Sequence, residues 1–285
     1  MAANSLNIKP RVVEELATWP TEVDVRVVTE KPERLQQTFI AWQLPASFTA
    51  AGPIHELPHP FELAWVHRDL MQAALATGQY TAFIYLEDDM RLTWDSLISW
   101  ATDQAVLEPL GFQRQFYRTE IAPWDGKQWL FDALQHVHLA TYERKLDVGV
   151  QTRAHQHYIQ LPEPYSAVFV ASPTLLARFI KSPFWSKRNG PWPSREMASN
   201  GIMFVDPPPG FWSAAVVPYE PQLQQLSRDA AIAHMSNKHC GKRSHDQGFH
   251  DQPPPVEPSD VKFCVVELDK FFTSDTTHKH KQYWA

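Results

Sequence analysis

Two hydrophobic periods alternate along the first half of the chain. From Pro10 to Trp19, Val12, Val13, Leu16 and Trp19 recur on one helical face, and Pro20 stops the pattern. Glu22 to Thr29 (EVDVRVVT) then alternates with period two, as a strand does. A helix is expected from Pro32 to about Trp42, and a loop from Ala46 to Pro60, which holds four prolines or glycines. Leu63, Val66, Leu70, Met71, Ala74 and Leu75 predict a helix over Phe61 to Ala76, ended by Gly78. Tyr80 to Leu86 (YTAFIYL) is a nearly continuous apolar run, the pattern of a central strand covered on both faces. Thr93 to Leu107 follows as an amphipathic helix with Thr93 as its cap. Strand and helix in alternation predict an α/β fold with a mainly parallel sheet flanked by helices.

The second half is irregular and mixed. Strand-like runs occur at Gln113 to Thr119, His157 to Gln160, Tyr165 to Ala171 and Trp212 to Val217. A helix from Pro173 to Ile180 leads into an aromatic, proline-rich loop, Pro183 to Pro193, and then a short helix, Ser194 to Asn200, closed by Gly201. A soft boundary near residue 110 separates a nucleotide-type half (1–110) from a second half (111–240) of the same domain. Residues 241–285 form a polar tail rich in histidine and proline, where only Lys262 to Leu268 reads as a strand.

Composition narrows the chemistry. The 285 residues are 44% hydrophobic and 20% charged, enough for a buried core and unlike a disordered or fibrous chain. A formal net charge of -6 gives no global attraction to nucleic acid or to an anionic membrane. No apolar run approaches the roughly 18 residues of a membrane-spanning helix, and no secretory leader is read at the start. Two cysteines, Cys240 and Cys264, cannot build a disulfide framework, so a reducing compartment, the cytoplasm, is expected. Ten glycines are few, and neither G-x-G-x-x-G nor a P-loop occurs. A phosphorylated ligand must therefore be held by a metal or by basic side chains.

Glu87-Asp88-Asp89 stands directly after the apolar run Tyr80 to Leu86. Three adjacent carboxylates repel one another unless a cation or hydrogen-bond donors compensate. In open α/β sheets ligands bind beyond the carboxyl ends of strands, and hard oxygen ligands there suit Mg²⁺ or Mn²⁺. A solvated acidic turn before the helix at Thr93 is the plainer explanation of the same residues.

A hydrophobic strand running into E-D-D resembles the D-x-D signature of GT-A-fold glycosyltransferases that use nucleotide sugars. It is similar in particular to the E-D-D form of N-acetylglucosaminyltransferase I-like enzymes. HPFELAWVHRDL, IYLEDDMRLTWDSLISW, SREMASNGIMF and AHMSNKH stand in an order that resembles a family of predicted glycosyltransferases, over roughly residues 10 to 240. The resemblance implies that Asp89 coordinates the metal directly, that Asp88 acts through a metal-bound water and that Glu87 faces the ribose. Folds of this type open with a strand lining the nucleobase pocket, whereas this chain is expected to begin at or just before its first helix.

His234, where the apolar run in AAIAHMSNKH turns polar, is the candidate second metal ligand, since late histidines often complete such sites and imidazole suits Mn²⁺. His239 competes for that role, and a core histidine bonded to a carbonyl is the alternative. Lys238 and Lys242, with Arg243, could close over a diphosphate, or form a solvated basic turn. Glu196, at the start of the short helix, is the candidate general base for the acceptor hydroxyl, or a carboxylate stabilised by the helix N-terminus. Trp185 and Trp192 offer flat faces for an acceptor sugar, although aromatics also fill cores. Arg68, beside His67, could reach a phosphate or nucleobase.

Other histidine patterns carry less. The pairs His136/His138, His155/His157 and His278/His280 have no third zinc ligand at a recognisable spacing. His67-Arg68-Asp69 mimics an iron-binding H-x-D but falls in a helix, and Cys240 near Asn237 and His239 lacks the context of a thiol nucleophile. The expected function is transfer of a sugar from a nucleoside diphosphate to a glycan or other hydroxyl acceptor, with Mn²⁺ or Mg²⁺ and with inversion. A metal-dependent hydrolase of phosphates or nucleotide sugars, and an inactive carbohydrate-binding relative, are the alternatives.

Overall fold

The computed structural model describes residues 10–53, 56–57, 59–121, 128–130, 146–150, 153–160, 164–186, 194–220 and 225–236. Trp192, Lys238, His239, Lys242, Arg243 and the tail beyond residue 240 lie outside the described residues. The elements run α1 (Pro10–Ala17), β1 (Val25–Val28), α2 (Pro32–Ala41), β2 (Phe48–Ala51), a 3₁₀ segment (Pro60–Trp65), α3 (His67–Thr77), β3 (Phe83–Leu86), β4 (Met90–Arg91) and α4 (Trp94–Leu107). Then come β5 (Gln113–Arg114), β6 (Tyr117–Ile121), β7 (Gln128–Leu130), β8 (Leu146–Val150), β9 (Arg153–Ile159), β10 (Val168–Ala171) and α5 (Pro173–Lys181). A 3₁₀ turn (Pro183–Trp185), α6 (Ser194–Asn200), β11 (Ala215–Glu220), β12 (Gln225–Leu226) and β13 (Ala231–His234) follow, with further 3₁₀ turns at Glu108–Leu110, Gly201–Phe204 and Arg228–Ala230.

Local chemistry sets several boundaries. Thr93 Oγ1 accepts the Ser96 amide at 3.2 Å and starts α4. Ser172 Oγ accepts the Leu175 amide at 3.0 Å and starts α5, with Pro173 in the first turn where its missing N–H is harmless. Gly78 ends α3 at φ +67°, a left-handed conformation that favours glycine. The helix expected over Phe61 to Ala76 is two pieces, a 3₁₀ segment and then α3 from His67. His67 Nδ1 meets the Ala64 carbonyl at 2.6 Å across that break.

The fold is α/β, but its sheets are mixed rather than mainly parallel. Of the nine described strand pairings, only β1–β2, β5–β11 and β6–β13 are parallel. Strand β3, expected at the centre of a parallel sheet, pairs antiparallel with β10, Val168 facing Leu86 and Ala171 facing Phe83. Its apolar run has a clear cause. Phe83 and Tyr85 pack with Met71, Phe169, Leu175 and Phe179, while Ile84 and Leu86 pack with Trp100, Phe116, Val168 and Ile232. Alternate residues thus enter two separate clusters, and both faces must be apolar whichever way the neighbouring strand runs.

Pairing crosses residue 110 repeatedly: β3 joins β10, and β4 joins β13. A further core lies against β1 and β2, where Val13, Leu35, Phe39 and Phe48 are buried together. Between α4 and β5 a buried ion pair, Arg114 to Asp103 at 3.4 Å, is completed by Tyr158 Oη on Asp103 and by the Asp229 carbonyl. Among the described residues no helix is long and apolar enough to cross a membrane.

Candidate functional site

The acid cluster occupies the turn between β3 and β4. The Met90 amide donates to the Glu87 carbonyl at 3.1 Å, closing a four-residue turn through Asp88 and Asp89. The Glu87 amide in turn donates to the Ala167 carbonyl at 3.1 Å. Ala167 is buried at φ +60°, a left-handed conformation that costs a residue with a Cβ about 1 kcal/mol or more. The antiparallel ladder that follows, Val168 on Leu86, over-determines this strained position.

Each acid has its own environment. Glu87 is half-buried, and Tyr165 Oη donates to its Oε1 at 2.9 Å. Burial, and then the neighbouring Glu87 charge, push the Tyr165 phenol well above its ordinary pKa, so it stays a protonated donor. The Arg118 guanidinium lies 5.4 Å from the Tyr165 ring centroid. Asp88 is exposed at the tip of the turn. Asp89 points inward with 13% of its side chain exposed, and its Oδ2 lies 2.9 Å from His234 Nε2.

Two ladders bring His234 there. Strand β13 runs antiparallel to β4, with His234 opposite Met90, and parallel to β6, with Ala233 opposite Thr119. One further step in the parallel register sets His234 beside Glu120, and His234 Nδ1 is hydrogen-bonded to Glu120 Oε1. Ser236 Oγ stands 2.8 Å from Nε2, on the same side as Asp89. The imidazole is 1% exposed and the Glu120 carboxylate fully buried. Burial opposes charge on the ring, but the hydrogen bonds to Asp89 and Glu120 outweigh it, and the His234 pKa is raised above its ordinary value. His234 is therefore bonded to carboxylates, not to a lone backbone carbonyl.

Glu120 is the residue that sequence reasoning missed. Its signal is faint: Arg118 and Glu120 alternate inside YRTEI, where a charged residue reads as solvent-facing. In the structure both are buried.

The remaining candidates are placed elsewhere. Arg68, expected at a phosphate or nucleobase, is 3% exposed and its guanidinium is a main-chain clasp instead. Nη1 donates to the Phe184 carbonyl at 2.7 Å and to that of Trp185, and Nη2 to Met197 and Ala198 at 2.9 and 3.0 Å. Its Cζ lies 4.1 Å from the Trp65 ring centroid. Burial lowers the Arg68 pKa to about 9. Close approach explains a nearby glycine: a Cβ on Gly201 would lie 3.0 Å from Arg68 Nη2.

The clasp ties down the two segments that carry Trp185 and Glu196. Trp185 is half-buried, its ring set edge-on against Phe179 at 5.1 Å. Glu196 lies in the first turn of α6, which packs on the Pro60–Trp65 segment, and its Oε2 is buried. His67 is a core ring against Tyr85 and Phe169, at 4.4 and 5.8 Å, which removes the H-x-D iron reading.

Among the described residues no group of three or more His, Cys, Asp or Glu is arranged as a ready metal cage. The donor set of Asp89 and His234, one carboxylate and one imidazole with a second carboxylate behind the ring, nevertheless fits an ion such as Mn²⁺. No protein-family model, no curated protein and no solved structure matches the chain.

Proposed function

We propose that the chain is a GT-A-like, metal-dependent glycosyltransferase that moves a sugar from a nucleoside diphosphate sugar to a hydroxyl acceptor, with inversion. The observation that carries the reading is the meeting of Asp89 with His234, the two residues expected to share a metal ion, in the turn after β3. Asp89 and His234 would hold Mn²⁺ or Mg²⁺, and the ion would supply positive charge for the diphosphate leaving group. Asp88, exposed at the turn, would act through a metal-bound water, and Glu87, which accepts from Tyr165, would face the ribose hydroxyls. Glu196 is the base for the acceptor hydroxyl, and Trp185 with Trp192 forms the acceptor side. Lys238 and Lys242 follow His234 closely enough in sequence to reach the same diphosphate. A cytoplasmic setting rests on the scarcity of cysteine.

The inactive carbohydrate-binding reading has one observation in its favour. Asp89, Glu120 and Ser236 are each hydrogen-bonded to His234, a cluster able to serve as sheet-to-turn fastening alone.

Thermal unfolding with uridine or guanosine diphosphate, each with and without Mn²⁺, tests the proposal. A ligand at 100 times its Kd that binds only the folded chain stabilises it by about 2.7 kcal/mol. The expected result is stabilisation that needs nucleotide and metal together. Stabilisation by glycans alone, with none by nucleotide and metal, supports the binding protein. Release of sugar from the donor without acceptor supports the hydrolase.

A further inference from the structure

We infer that Glu120 is the positioning residue of the Asp89–His234 site: it holds the His234 ring by Nδ1 so that the Nε2 lone pair is presented to a divalent cation beside Asp89. The inference rests on the metal reading above and adds a residue to it.

The chemistry starts from burial. An ionised carboxylate taken wholly out of water is costly unless it is paired and hydrogen-bonded. Glu120 has no exposed side-chain surface, and His234 Nδ1 is hydrogen-bonded to its Oε1. A neutral imidazole has one N–H and one lone pair, and a partner fixed on one nitrogen decides which of the two the other offers. With Glu120 accepting from Nδ1–H, a ring that carries one proton has its lone pair on Nε2, and in the metal-free chain Nε2 can also carry a proton and donate it to Asp89 Oδ2. That nitrogen faces Asp89 Oδ2 at 2.9 Å and Ser236 Oγ at 2.8 Å.

The Ser236 hydroxyl matters here. It is a donor that can satisfy the Nε2 lone pair of the neutral ring, whereas Asp89 Oδ2 accepts there only from an Nε2 proton, whose place a bound cation would take. The backbone reinforces this selection. Parallel pairing of β6 with β13 carries Glu120 to His234, and antiparallel pairing of β4 with β13 carries Asp89 to the other side of the ring. The Met235 amide also donates to the Asp89 carbonyl at 2.8 Å, fixing the turn against the strand end. Carboxylates behind metal-bound histidines raise ligand basicity and fix ring orientation, and their loss typically weakens metal affinity about 10- to 100-fold.

The test titrates the full chain with Mn²⁺ alone and follows free Mn²⁺ by electron paramagnetic resonance, for the parent, Glu120→Gln and Glu120→Ala. The expected result is Mn²⁺ affinity about 10- to 100-fold weaker in Glu120→Ala. Glu120→Gln should lose less, because its amide oxygen still accepts from Nδ1–H but carries no charge. Parental affinity in both variants overturns the role of Glu120 and leaves the metal reading standing. No Mn²⁺ binding by the parent at millimolar concentration overturns both. Side-chain ¹⁵N spectra of the parent, with His234 assigned through His234→Gln, decide the matter even if the Glu120 variants fail to fold. Recorded where the ring carries a single proton, they should place it on Nδ1, and a singly protonated ring with its proton on Nε2 overturns the inference.

Discussion

Asp89 Oδ2 lies 2.9 Å from His234 Nε2, although the two residues are 145 positions apart. The contact does not depend on the side chains alone. The next amide in the chain, that of Met235, donates to the Asp89 carbonyl at 2.8 Å, and His234 faces Met90 across the β4–β13 ladder. A chemical pair is thus built onto a main-chain junction, so its proposed binding role can be tested apart from its folding role.

Asp89→Ala should therefore keep the fold and lose the metal-dependent stabilisation by nucleotide. It removes a hydrogen bond involving a charged group, a loss of about 1.5 to 3 kcal/mol, while the ladder, Ser236 and Glu120 still hold His234. Thermal unfolding with and without Mn²⁺ and nucleotide checks this. Undiminished nucleotide and metal binding in the variant would remove Asp89 from the site.

Helix α4 was legible in its extent because its start signal is local, a threonine whose side chain accepts a free amide, although its buried face carries Ser99, Asp103 and Gln104 beside Trp100 and Leu107. The acid cluster was legible for a related reason, since like charges after an apolar strand need a cause. The pairing of β3 was not legible. An apolar run reports that both faces are covered, and Phe83/Tyr85 and Ile84/Leu86 are covered equally well beside an antiparallel neighbour. Strand β2 sits inside the expected loop Ala46 to Pro60 because four residues, FTAA, are too short to show a period. Glu120 and Arg68 share a third reason. Both are charges satisfied by partners more than 100 residues away, and no local pattern encodes such partners.

Arg68 should behave as a structural residue. Arg68→Ala takes one donor from four carbonyls, two of them in buried bonds, so stability should fall by about 3 kcal/mol or more. Arg68→Lys should recover only part of this, because a single ammonium lacks the planar fork that spans both pairs of carbonyls. Urea denaturation of the two variants measures the loss. Parental stability paired with weakened nucleotide binding would return Arg68 to the ligand.

His67 predicts a pH dependence. Burial, reinforced by the neighbouring Arg68 charge, lowers its pKa to about 3, against 6.5 for an ordinary histidine. The unfolded chain therefore binds a proton between these values that the folded chain does not. This contribution is fully present above pH 6.5 and is lost as the pH falls toward 3, with a slope of at most about 1.4 kcal/mol per pH unit. His67→Phe keeps a ring beside Tyr85 and Phe169 and removes the titration. Denaturation between pH 7 and pH 4 should show a shallower decline in the variant, and equal slopes would show that His67 is not the group responsible.

Glu196 carries the boldest role, and its position makes the test sharp. The Arg68 clasp fixes α6 through the carbonyls of Met197 and Ala198, so a change at Glu196 need not move the helix. Glu196→Gln keeps size and shape but cannot take the acceptor proton. If Glu196 is the base, kcat should fall by about 10² to 10⁴, the usual worth of such a group. Donor affinity should stay near the parental value, since loss confined to the chemical step marks an interaction made in the transition state. A carboxylate that only complements the start of α6 behaves differently, with a loss of about 0.3 to 1 kcal/mol in stability and normal turnover. Turnover, donor affinity and melting temperature of this one variant, measured with the nucleotide that the Mn²⁺ screen selects, separate the two outcomes. Near-parental turnover would take Glu196 out of the chemistry and leave it a helix residue.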